Sequence, residues 1–162
     1  MNSIDKHELK KMFLELFQSE YEVLERSARE AHSYATEDET KAENKYDTRG
    51  LEASYLAQGQ ANRAADVLKS ITVLKSLNVR EFNESTPIQA TALVELDIEG
   101  DRKWFFALPS RGGSKVQLSG VDVTSVSPES PLGKNLFGRF EGEDFEMSSK
   151  RGPLLYEIVT VK

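Results

Sequence analysis

From residue 4 to about residue 78 the chain has no proline, and its two glycines there, Gly50 and Gly59, fall in the second half. Over the same stretch apolar residues recur at helical spacing. Leu9, Phe13, Phe17, Tyr21, Leu24, Ala28, Ala31 and Ala35 are separated by three or four positions, which places them on one helix face. After a polar break the pattern resumes as Ala57, Ala61, Ala64, Leu68 and Ile71 and continues through Leu74 to Leu77. Two helices with facing seams and a short polar turn fold back on each other. The pattern therefore predicts an antiparallel helical hairpin, with arms of about 30 residues spanning ~45 Å.

The turn is expected within Thr36–Glu43. Thr40 followed by Glu43 reads as a capping box, in which the hydroxyl takes an orphan amide and the carboxylate reaches back to the cap amide. The second helix then begins at about Lys41. The seam is graded, from bulky Leu9, Phe13 and Phe17 against Leu68, Ile71 and Leu74 to alanines nearer the turn. Folding about residue 40 brings Tyr21 close to Gly59. Because no further helical segment is available to complete a bundle, the hairpin is expected to project.

The stretch 79–87 reads as a linker, with Pro87 stopping the helix. Beyond it the period changes to two. Ala90 to Ile98, Arg102–Leu108, Lys115–Leu118, Val121 to Val126, Phe145–Met147 and Leu154–Val161 are strand candidates, and Leu132 to Phe137 a short helix. The fold class is thus α+β, with a hairpin over 1–78 and a small β-rich domain over 88–162. Trp104-Phe105-Phe106 anchors the core; a ligand-stacking role for Trp104 is the competing reading.

Composition narrows the chemistry. The chain has no cysteine, which excludes disulfides, thiolate catalysis and cysteine-based zinc sites. No run reaches the roughly 20 apolar residues of a membrane span, and the N-terminus lacks signal-peptide order, so a cytoplasmic location is expected. Lys and Arg number 12 against 14 Asp and Glu up to residue 80, and 9 against 13 beyond it, for a net charge of -6. Neither half is a basic nucleic-acid footprint, and a protein partner is expected instead.

His7 and His32 stand too far apart to share a metal and read as solvated. Gly112-Gly113 reads as a hairpin turn, not a phosphate loop. No Ser/His/Asp arrangement has recognisable spacing. One concentration remains: Glu37, Asp38, Glu39 and Glu43, four carboxylates within seven residues. They read as a solvated turn with its capping box. Alternatively, they are oxygen ligands carried on a projection into another protein's Mg²⁺ centre.

Several segments resemble the GreA/GreB family of transcript cleavage factors of bacterial RNA polymerase. Lys41-Ala42-Glu43-Asn44-Lys45-Tyr46 is similar to the family's Asp-x-x-Glu-Asn-Ala-Glu-Tyr region. Ser130-Pro131-Leu132-Gly133-Lys134-Asn135-Leu136-Phe137-Gly138-Arg139, followed by Gly142-Glu143-Asp144-Phe145-Glu146, is similar to its Ser-Pro-Leu-(small)-(basic)-Ala-Leu-(x)-Gly-(basic) and Gly-Asp-x-(x)-Glu signature. The resemblance covers nearly the whole chain and implies a divergent branch.

It further implies an FKBP-like β domain that docks on the polymerase through Ser130, Pro131, Leu132, Gly133 and Lys134. The hairpin would enter the secondary channel, with Glu43, Glu39 and Asp38 as the acting carboxylates and Thr40, Asn44 and Tyr46 supporting the tip. Glu43 and Asp38 would hold a metal only jointly with the polymerase, whose active-site Mg²⁺ is implied; the chain needs no cofactor of its own. RNA polymerase is the implied partner, nascent RNA and DNA are met only through it, no membrane is involved, and the chain acts as a monomeric accessory factor, not an enzyme.

Two positions depart from the family pattern. Thr40 stands at the tip aspartate, and Lys45 replaces the Ala-Glu pair. A channel-occupying modulator without cleavage activity is therefore the alternative. A prolyl isomerase is disfavoured, since about 75 residues leave little room for an aromatic-lined proline pocket.

Overall fold

The computed structural model describes residues 3–41 and 49–162, with the side chains of residues 37–41 outside that description. Two long helices, α1 (Lys6–Lys41) and α2 (Arg49–Ser76), precede a mixed sheet. Its strands are β1 (Leu93–Ile98), β2 (Asp101–Ala107), β3 (Lys115–Leu118), β4 (Val121–Val126), β5 (Asp144–Ser149) and β6 (Gly152–Val161), and a short helix α3 (Pro131–Leu136) lies between β4 and β5. The chain divides into two compact units. One comprises the chain up to Phe13 together with Val73–Lys162, the other Leu14–Thr72.

In the Leu14–Thr72 unit the helices are antiparallel. Tyr21 to His32 of α1 line one groove with Ser54 to Leu68 of α2, while Tyr34, further along α1, meets Arg49 and Ala53 at the start of α2. The buried apolar positions of α2 are Ala53, Ala57, Ala64, Val67, Ile71 and Leu74, with half-buried Gln60 between Ala57 and Ala64. Their steps alternate strictly between four and three. That is the 3.5-residue repeat of a coiled-coil seam.

Three expectations for this region are corrected. Ala61 and Leu68 are exposed, because the 3.5-residue repeat selects Gln60 and Val67 in their place. Helix α1 runs through Thr36–Lys41, so Thr40 is helical and does not cap a second helix beginning at Lys41. No glycine or proline interrupts α1 there, and the Thr36 hydroxyl donates to the His32 carbonyl at 2.9 Å, a bond made inside a helix. The longer α1 also shifts the register. Tyr21 lines the groove with Leu68, and a methyl group on Gly59 would meet no other side chain within 4 Å, so no ring lies over it.

The sheet order is β3-β4-β2-β1-β6-β5, antiparallel throughout except for the parallel β2–β4 pair. The strand candidates are all present, but β1 starts at Leu93, not Ala90, because Thr91 turns through a positive φ of 77°. The tight β1–β2 turn uses Glu99 and Gly100 at φ 53° and 89°, tied by the Asp97 carboxylate to the Gly100 amide at 2.7 Å.

The expected hairpin turn at Gly112-Gly113 is instead the crossover from β2 to β3, which do not pair. It is held against β4: the Gly113 amide donates to the Ser125 carbonyl at 2.7 Å, and the Ser125 amide to the Ser114 carbonyl at 2.7 Å.

The main core lies on one face of the sheet. Val94, Leu96, Phe105, Ala107, Val126, Phe145, Ile158 and Val161 pack with Ile88, Ala92 and Leu136 of α3. Phe82, from the stretch read as a linker, joins them. Phe106 points to the other face, where its ring stacks on Phe13 of α1 with centroids 6.0 Å apart. Trp104, on the same side as Phe106, lies half-buried under the Lys162 ammonium, 5.6 Å from its centroid. Lys6 is buried beside this junction, donating to the carbonyls of Arg80 and Lys162, the latter at 2.9 Å. Burial pushes its pKa below the usual lysine value, against the opposing pull of Glu81. Lys10 ties off the end of α2 by donating to the Leu77 carbonyl at 2.6 Å.

Candidate functional site

Two groups of residues were singled out from the sequence. The first is the carboxylate run at the helix connection. Asp38, Glu39 and Thr40 belong to the closing turns of α1, while Glu43, Asn44 and Tyr46 lie outside the described residues. Among the described residues no cluster of three or more His, Asp or Glu side chains forms a metal site.

The described residues nearest the connection carry a feature that the periodicity did not flag. Tyr34, Leu51, Tyr55 and Leu56 are exposed, Tyr55 by 70%. Leu51 and Tyr55 are four residues apart and thus share a helix face, outside the buried seam. The signal was present as apolar side chains out of seam register.

The second group, Ser130–Lys134, forms the start of α3, and the sequence dictates its geometry closely. Ser130 is the N-cap: its hydroxyl accepts from the Gly133 amide at 3.0 Å and donates to the Ser127 carbonyl at 2.8 Å. Pro131 occupies the first turn, where its missing amide costs nothing. Gly133 is buried, and a Cβ on it would sit 1.7 Å from the Ser127 carbonyl oxygen, so only glycine lets α3 lie this close to the chain leaving β4. Leu132 packs against the core. Ser130, Leu132 and Gly133 thus build the fold, whereas Pro131 and Lys134 face outward.

Exposed Phe140 lies just beyond α3, and the guanidinium of Arg139 sits 5.2 Å above the ring of Phe145. The exposed side chains of this segment are thus Pro131, Lys134 and Phe140.

No family model matches the chain, and no curated protein matches it. Among solved structures it is similar to the GreA factor homolog Gfh1 of Thermus thermophilus, with 22% identity over 92% of this chain and 94% of that one and a TM-score of 0.37. Thermus aquaticus Gfh1 is 23% identical over 91% and 92% of the two chains, with a TM-score of 0.37. A GreA/GreB elongation factor from Nitrosomonas europaea is 20% identical over 61% of this chain and 78% of that one, with a TM-score of 0.38. The architecture described above rests on this chain's own helices and strands.

Among the described residues, no helix is long and apolar enough to cross a membrane.

Proposed function

We propose that the protein is an RNA polymerase-binding regulator of transcription elongation, whose sheet unit docks on the polymerase while the connected end of its helical pair enters the secondary channel. The observation that supports this reading is the antiparallel pairing of α1 and α2, with Glu37, Asp38 and Glu39 in the closing turns of α1 and Glu43 following them in the sequence between the two helices. The GreA/GreB-like signature over Ser130–Arg139 supports it from the other end of the chain.

A pair of helices with carboxylates at its connection can deliver oxygen ligands to a metal held elsewhere, and carboxylate oxygens suit Mg²⁺. Glu43, with Asp38 or Glu39, would complete the coordination of the polymerase's Mg²⁺ and orient a water for hydrolysis of a backtracked transcript. The chain then acts as an accessory factor and the reaction belongs to the polymerase. Pro131 and Lys134 supply the outward contacts of the docking surface; Ser130, Leu132 and Gly133 hold them in place. The exposed Tyr34, Leu51, Tyr55 and Leu56 would line the channel walls.

A second reading, channel occupation without cleavage, is favoured by one observation: Thr40 and Lys45 stand where the family signature has acidic residues. A cleavage assay on stalled polymerase complexes separates the two. Shortened transcripts in the presence of the protein support the first. Unchanged transcripts, together with displacement of an active cleavage factor, support the second. Absence of both effects removes the proposal.

A further inference from the structure

The seam of α2 contains one polar residue. Ala53, Ala57, Ala64, Val67, Ile71 and Leu74 are buried at the alternating spacing of a two-helix seam, and Gln60 takes the position between Ala57 and Ala64. Its Oε1 is buried and has no hydrogen-bond partner among the described residues. A buried amide oxygen without a partner favours any state in which it reaches water.

The surroundings offer little to resist that. On either side of Gln60 the seam is alanine, which buries far less apolar surface than the Val67, Ile71 and Leu74 that follow. On α1, Tyr21, Ala28 and Ala31 are only half-buried. A groove of about 700 Å³ runs beside this stretch, bounded by Tyr21, Ala28 and His32 on α1 and by Ser54, Ala61 and Leu68 on α2. Gly59, adjacent to Gln60, adds backbone freedom and has no contact that a methyl group would disturb.

We infer that Gln60 is a built-in weak point of the helical pair, from which the alanine-lined stretch of α1 and α2 opens as a unit of its own while the Val67–Leu74 part of the seam stays closed. Local opening of this kind follows where apolar contact is sparse and a buried polar group is unpaired. The inference stands apart from the proposed function, since it concerns the free protein and needs no polymerase.

Hydrogen exchange on the full chain tests it. In the wild type, amides of 53–64 and 28–35 should exchange at least tenfold faster than those of 67–74. Gln60→Leu and, separately, Gln60→Met should slow exchange in those stretches by about tenfold and leave the sheet amides unchanged; the sheet amides report that each variant is folded. Equal protection of 53–64 and 67–74 in the wild type would overturn the inference whatever the variants do. So would unchanged or faster exchange at 53–64 in both folded variants.

Discussion

Two glycines in this chain should respond in opposite directions to the same added methyl group. At Gly133 a Cβ would lie 1.7 Å from the Ser127 carbonyl oxygen, 2.7 Å from the Ser127 carbonyl carbon and 2.9 Å from the Ser130 hydroxyl. Side-chain carbons essentially never come within 3.0 Å of such atoms, so the backbone must give by about 1.3 Å, the difference between 3.0 and 1.7 Å. That movement lifts α3 from β4, disturbs the packing of buried Leu136 and breaks the Ser130 cap. Overpacking of this kind costs about 1–3 kcal/mol, and loss of a serine cap about 1 kcal/mol.

Gly133→Ala should therefore destabilise the sheet-containing unit by roughly 3 kcal/mol, which for a unit of this size is a fall in melting temperature of about 12–24 °C. Gly59→Ala adds its methyl to open space within α2 and should stabilise the helical pair by about 0.5–1 kcal/mol through helix propensity. Trp104, the sole tryptophan, reports on the sheet by fluorescence, and far-ultraviolet circular dichroism reports on the helices. A Gly133→Ala loss below about 1 kcal/mol would refute the steric argument, because a rigid overlap of that size cannot be relieved so cheaply. A loss in Gly59→Ala would refute the open environment assigned to Gly59.

Three further outcomes are expected. Glu43→Gln keeps the size of the side chain but makes a poor metal ligand, so polymerase binding should persist while transcript cleavage falls at least tenfold; equal loss of both in a binding and cleavage assay would contradict the assigned role. Lys134→Glu reverses an exposed charge on α3 and should weaken polymerase binding several-fold in a titration, chiefly through association rate, with the melting temperature unchanged. Lys6 has a folded-state pKa below its unfolded value of 10.5, so the unfolded chain binds more protons between the two values and stability rises with pH there. The stability of wild type relative to Lys6→Met, measured by denaturant unfolding, should accordingly increase as pH climbs toward 10.5, and a flat or falling difference would count against the buried ammonium.

How much was legible in the sequence depended on how strongly each element was specified locally. The β strands were readable because alternation and turn glycines agree, as at Glu99-Gly100, where the turn requires positive φ. The short helix was readable because Pro131 and Gly138 bracket Leu132 to Phe137; the Ser130 cap that fixes its start at Pro131 came from the structure. The seam of α2 was harder. Adjacent pairs such as Gln60-Ala61 and Val67-Leu68 offer two frames, and hydrophobicity alone chose Ala61 and Leu68 where the packing chose Gln60 and Val67.

The end of α1 was misplaced for a related reason. A run of acidic and polar residues resembles a turn, yet Thr36–Lys41 contains no glycine or proline, and α1 continues through it to Lys41. The β2–β3 crossover was hidden because a glycine pair fits a hairpin and a longer connection equally well; long-range pairing with β4 decides between them. For the candidate site, the α3 residues were found by motif, but their division into fold-building Ser130, Leu132 and Gly133 and outward Pro131 and Lys134 depends on which of them pack against the sheet core and the chain leaving β4.

Insertion of the helical pair into the polymerase channel is tested most directly by placing a photoreactive amino acid at Glu39 and irradiating stalled elongation complexes. The account predicts a crosslink to the channel-lining part of the polymerase's catalytic subunits, lost when an active cleavage factor is added in excess. A crosslink that survives such competition, or none from a protein that still co-purifies with the polymerase, would contradict it.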